Sequence, residues 1–348
     1  MVSPQLRQRA AFLALVGATT AGIVGCALLA APFLAPLVGA ATLAILFVPL
    51  HQTLEKRLKR RNLAAATSVL VVAALVLVPM AFVIKRIVDQ VASGALYFQY
   101  QVDTGAFQSF LDRNPRIAPI GTWVEQHVKL RSISAAVAAE LSHAAASFLR
   151  GSVAQLLGGL LTFYLLFFFL RDRRSIVQWV EHALPLSADD TMRLLNRITD
   201  TVRATVWGTA AVSAVQGALG GLMFWILGLP APVVWGFIMG VLSLVPVLGA
   251  FIVWIPAAVF LALQGHWSKV IVLTIWGAVV VGGIDNLLRP IWVGSRLKLH
   301  TLAAFISMLG GILLFGASGF VLGPVIVTLT LGLLDVWRTR RTAEGQSR

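Results

Sequence analysis

Asp285 is the only acidic residue between Asp200 and Asp335. It follows the apolar run 270–284 and opens the motif Asp285-Asn-Leu-Leu-Arg-Pro. A lone carboxylate at membrane depth persists with a partner or a task, such as carrying a proton, holding a cation or positioning a substrate. On a helix Arg289, at i+4, shares its face, so the two can pair at the cytoplasmic end of the run. Asn286 adds a neutral donor and acceptor, and Pro290 ends or kinks the helix just beyond. Such a pair either serves transport or anchors two helices, and the residue types fit both roles. Gln216 is a second polar residue inside an apolar run, flanked by Gly217, Gly220 and Gly221. Glycines at that spacing permit close helix packing. Gln264 and His266 close one apolar run and His300 precedes another. A histidine titrates near neutral pH, although a polar boundary residue is its ordinary role there.

The elements that must position these groups are set by lipid. The chain is 58% hydrophobic and 12% charged over 348 residues, with a mean hydropathy of +0.86. Soluble domains carry about twice that charged fraction. A helical span needs about 20 mostly apolar residues, and the candidates are 10–31, 34–50, 63–84, 152–170, 206–227, 233–263, 270–284 and 302–337. The first two are joined by a tight turn containing Pro32 and Pro36. The first continues past signal-peptide length behind Arg7 and Arg9, so it reads as a retained span.

The net charge of +14 lies in clusters at the ends of apolar runs: Lys56 to Arg61, Arg171 to Arg174, and Arg338 to Arg341. That is a topology signal and not a nucleic-acid face. It puts those clusters and both termini in the cytoplasm. Segment 85–150 then lies outside, as an amphipathic helical insert. Four regions follow: 1–84, with three spans and a basic loop; 85–150, the insert; 151–205, a span plus a cytoplasmic amphipathic segment; and 206–348, the transport core. In the third region Ile176, Trp179, Val180 and Leu184 share one face before a Pro185 break. Ser187 ahead of Asp189 and Asp190 marks a helix start.

The runs 233–263 and 302–337 are too long for one span and must each form a hairpin. The first is interrupted at Pro246, Gly249 and Pro256, the second at Gly316, Gly319 and Pro324. Proline and glycine break helices. Broken backbone at membrane depth must be buried or line a cavity, and paired interrupted segments point to a transporter binding site. Simple turns between short spans are the competing reading. Trp254 and Trp276 fall mid-span, where packing is the ordinary role and substrate stacking the rarer one. Trp207, Trp225, Trp235, Trp267, Trp292 and Trp337 sit near span ends, as an interfacial belt requires.

Enzyme and metal-site motifs are absent, including HExxH, GxSxG, phosphate-binding loops and Cys/His clusters. Cys26 is the only cysteine, which rules out an intrachain disulfide. No cofactor is implied.

Three segments resemble one family: PVLGAFIVWIPAAVFLALQG (246–265), GGIDNLLRPIWVGSRLKLH (282–300) and FISMLGGILLFGASGFVLGP (305–324). They are similar to the autoinducer-2 exporter, or PerM-like, family of permeases. The resemblance is specific from Trp207 to Trp337 and follows only the layout of spans before that. It implies an all-α polytopic protein of the bacterial inner membrane with about eight spans, assembled as a homo-oligomer. It also implies export of autoinducer-2 or sodium(lithium)/proton antiport. The expectation is a secondary exporter of a small polar solute, with proton coupling through Asp285. A cation/proton antiporter using the same carboxylate is the alternative, and a non-transporting membrane scaffold is the third.

Overall fold

The computed structural model describes residues 4–103, 156–244, 249–284 and 301–346. Among these the chain is helical and has no strand. In order come α1 (Pro4–Ala30), a 3-10 turn (Ala31–Phe33), α2 (Leu34–Leu58) and α3 (Arg61–Asp103). Then follow α4 (Leu156–Arg171), α5 (Arg173–Ala183), α6 (Ala188–Ile226), α7 (Pro232–Leu242) and α8 (Phe251–Leu263). Helix α9 (Trp267–Ile275) runs into a π turn (Trp276–Val281). Last are α10 (Thr301–Phe315), a 3-10 turn (Gly316–Ser318) and α11 (Gly319–Gln346).

Among the described residues five stretches are long and apolar enough to cross a membrane: Phe12–Leu58, Arg61–Asp89, Ala188–Ile226, Trp267–Ile284 and Gly319–Arg338. The predicted all-α polytopic architecture is therefore observed. Helix α1 turns Phe12, Leu15, Leu28 and Leu29 outward, a surface suited to lipid. At the predicted proline turn the backbone stays helical, with Phe33 at φ −93°, ψ −1°.

Local chemistry explains the boundaries. Lys56 and Arg57 occupy the last turn of α2, where they oppose the helix dipole, and Lys59 ends it with a left-handed φ of 54°. Leu184 adopts an extended conformation, as the residue before Pro185 must. The predicted start at Ser187 is observed: its Oγ accepts a hydrogen bond from the Asp190 amide at 3.1 Å, a standard N-cap. From there α6 runs for 39 residues, fusing the predicted amphipathic segment with the 206–227 span. Helix α3 likewise continues past residue 85 to Asp103.

Helices α7 and α8 have 11 and 13 residues. At 1.5 Å per residue they reach about 17 and 20 Å, short of a hydrocarbon core of about 30 Å. Neither crosses alone. The interrupted 233–263 run is thus a pair of half-length helices.

Packing divides into three clusters. Helices α2, α3 and α4 meet around Ala40, Val72, Leu166 and Leu170. Helices α6 to α9, with Val83 of α3, meet around Phe224, Ile238, Met239, Trp254, Leu273 and Val281. Helices α10 and α11 meet around Met308 and Phe320. Helix α6 is the common axis, packing on α7, α11, α2 and α5.

Two seams bring backbone against backbone. A Cβ on Gly217 of α6 would stand 2.7 Å from the Gly236 carbonyl oxygen and 2.9 Å from Gly240 Cα of α7. Between α10 and α11, Gly311 faces Gly319, and Gly323 faces the Ser307 carbonyl. Without a hydrophobic drive between helices in lipid, such close approach supplies the dispersion contact that holds them.

Candidate transport core

Gln216 lies on the flank of the α6 glycine seam, one residue before Gly217. While Gly217 meets α7, the Gln216 side chain goes to the π turn after α9, where its Nε2 donates to the Val281 carbonyl at 3.2 Å. The residue is 2% exposed. Its Oε1 is buried and has no hydrogen-bond partner among the described residues. An orphaned buried acceptor costs about 1–3 kcal/mol, so this amide is held at a cost to stability.

Val281 closes the π turn, four residues before Asp285. The Gly282 amide reaches back to the Gly277 carbonyl, the i→i−5 bond of a widened turn. Three successive valines, Val279 to Val281, crowd an α-helix at χ1, and glycines at 277 and 282 relax the backbone on either side. Turns of this kind recur at functional sites.

Helix α8 supports the turn from the other side. A Cβ on Gly277 would lie 2.6 Å from the Trp254 indole, so the ring rests directly on the Gly277 backbone. Trp254 is 7% exposed. Its Nε1 and that of Trp276 are also buried without a partner among the described residues. One amide acceptor and two indole donors are therefore unsatisfied within a single apolar cluster. Such groups pair with water or with a polar guest when one is present.

The break residues take distinct places. Gly249 folds back on the end of α7, where a Cβ would collide with the Leu242 carbonyl and Ser243 Cα. Gly316 turns the chain with a φ of 63°, a conformation that favours glycine. Gly319 belongs to the α10–α11 seam. Pro256 and Pro324 lie inside α8 and α11, where neither can donate a backbone hydrogen bond. Pro256 also lines an apolar cavity of about 270 Å³ with Phe224, Trp235, Ile252 and Phe260. Asp285, Asn286, Arg289 and Pro246 lie outside the described residues.

The structure thus brings Gln216 to the helix that leads into Asp285. It puts α6 in contact with both broken hairpins. Sequence reasoning missed the Val281 carbonyl and the π turn. The one available signal was the valine run between glycines.

The sequence profile of a family described as "AI-2E family transporter" matches residues 18–339. A protein of Aquifex aeolicus (strain VF5), provisionally named a transport protein, is 24% identical over 317 residues, 87% of this chain and 90% of its own. A protein of Mycobacterium tuberculosis (strain ATCC 25618 / H37Rv), named in the same way, is 30% identical over 316 residues, 86% and 81% of the two chains. One from Bacillus subtilis (strain 168), also so named, is 28% identical over 179 residues, about half of each chain.

Proposed function

The chain belongs to the AI-2E transporter family, and from that premise we propose that it is a secondary transporter exporting a small polar solute coupled to protons. The observation that carries this reading is the set of unsatisfied buried atoms at Gln216, Trp254 and Trp276 beside the π turn. A rigid scaffold gains nothing from three orphaned polar atoms in an apolar cluster. A carrier gains selectivity, because a solute with matching donors and acceptors replaces its lost water there, whereas an apolar one leaves the groups unpaired.

In this mechanism Gln216 Oε1 accepts from the solute and the indole N–H groups donate to it. Asp285 takes up and releases the proton, Arg289 tunes its charge, and Asn286 adds a hydrogen bond. The half-length α7 and α8 put Gly249 between them and Pro256 within the second at membrane depth, where interrupted backbone exposes carbonyls to a guest. Gly316, Gly319 and Pro324 do the same in the second hairpin. The protein acts in the bacterial inner membrane as a homo-oligomer with both termini cytoplasmic. No metal or cofactor takes part.

The test uses purified protein in liposomes that contain a pH-sensitive dye. Candidate polar solutes, autoinducer-2 among them, are offered to wild type and to Asp285→Asn. Solute flux with proton movement that the variant loses supports the exporter. A pH change driven by sodium or lithium alone, equally lost in the variant, replaces it with the antiporter. Unimpaired flux in Asp285→Asn removes that carboxylate from the mechanism.

A further inference from the structure

A polar cavity of about 90 Å³ lies away from the transport core. It forms where α2 ends, α3 begins, α4 ends and α5 begins, and so at one level along three apolar helices. His51, Glu55, Arg61, Arg171, Asp172 and Arg174 line it, with Arg173 beside them. Its size suits one small charged group, because pockets for whole solutes run to about 300 Å³ or more.

The cavity is built. His51 is 5% exposed, and its Nδ1 is 3.0 Å from Ser68 Oγ. That hydroxyl also donates to the Ala64 carbonyl at 2.7 Å, so the ring is fixed in the wall. Both carboxylates are already engaged. Asp172 receives a two-pronged bond from Arg171, at 2.9 and 2.7 Å, and Arg171 is further held over the Phe168 ring at 4.6 Å. Glu55 stands 3.8 Å from Arg61. Arg173 and Arg174 have no acidic partner among the described residues. Lys56 adds a third positive charge where Glu55 and Arg174 line an adjoining recess.

Four arginines thus face two carboxylates, and the surplus is a paired guanidinium site of the kind that binds phosphate. The flanking surface names the source of that phosphate. Leu58, Leu63 and Leu70, at the end of α2 and along α3, are exposed, so two of the helices whose ends line the cavity carry outward apolar surface. A free phosphate has no use for such a surface, whereas acyl chains do. Basic recesses between spans at a membrane face bind anionic headgroups for the same reason.

We propose that this cavity holds the phosphate of an anionic membrane lipid, gripped by Arg173 and Arg174, with its chains along α3. The test is thermal unfolding of the full chain in neutral detergent. Phosphatidylglycerol, phosphatidylcholine and inorganic phosphate are titrated separately. Wild type, the double variant Arg173→Gln/Arg174→Gln and the control Arg338→Gln are compared. Both arginines are exposed, so the double variant folds. The expected result is a raised midpoint with phosphatidylglycerol alone, requiring about tenfold more lipid in the double variant and unchanged in the control. Equal stabilisation by phosphatidylcholine, the same effect from inorganic phosphate, no effect of any lipid, or an unaltered double variant overturns the proposal.

Discussion

Replacing Gln216 by methionine separates a structural amide from a transporting one. Methionine is unbranched and of similar length, and it forms helices about as well as glutamine. The change removes the 3.2 Å bond to the Val281 carbonyl and, with it, the orphaned Oε1. Hydrogen bonds between membrane helices contribute about 0.6 kcal/mol on average. Relieving an unpaired acceptor returns about 1–3 kcal/mol. The two terms oppose and the second is the larger, so stability is unchanged or rises by up to about 2 kcal/mol. In a chain of this size that leaves the unfolding midpoint unchanged or raises it by roughly 5 °C or less. Transport behaves differently if the amide meets the solute: loss of one acceptor in a dry site lowers flux at least tenfold, about 1.4 kcal/mol. The assay pairs a thermal midpoint in detergent with initial flux in liposomes at equal protein density. Wild-type flux from the variant, or a midpoint lowered by ten degrees or more, refutes the reasoning.

The α6–α7 seam predicts that Gly217→Ala, whose Cβ would fall 2.7 Å from the Gly236 carbonyl oxygen, destabilises by about 1–3 kcal/mol. Gly22→Ala, with open space around it, leaves the midpoint unchanged or slightly raised; comparing the two unfolding curves checks this. The exposed Arg197–Asp335 pair at 2.9 Å contributes under about 1 kcal/mol. A double-mutant cycle should show that coupling fall further in high salt. At the α4–α5 junction the hydrogen bonds from Arg171 hold the Asp172 carboxyl below its usual value. Its stabilisation is full above the unfolded carboxylate value of 3.8 and is lost as pH falls through the lower folded one. The midpoint gap between wild type and Asp172→Asn should therefore be constant at neutral pH and close only in strong acid.

Much of this architecture could be read from the chain because lipid imposes a one-dimensional demand. Apolar runs and the basic clusters at Lys56, Arg171 and Arg338 mark helices and their ends without any knowledge of neighbours. The Ser187 cap is local too, since its partner is three residues away. What was hidden depends on distant pairs. Gly217 announced close packing, but nothing adjacent to it identifies Gly236 and Gly240 as the partners. The contact that orients Gln216 is a backbone carbonyl, which has no side-chain signature. His51 stood in an ordinary polar helix end, and only its approach to Ser68 of α3 makes it part of a built cavity. The break between α7 and α8, by contrast, was legible in the run 233–263 itself, at Pro246 and Gly249.

The two glycine seams also decide how this molecule can move. Where backbone lies on backbone there are no rotamers to exchange, so neither seam has a second arrangement into which it can click. The α6–α7 and α10–α11 pairs therefore behave as two welded beams. Between the beams side chains meet instead, where Leu194 and Arg197 of α6 come close to Gly332 of α11. A tilt of one beam against the other about that face would leave both seams intact.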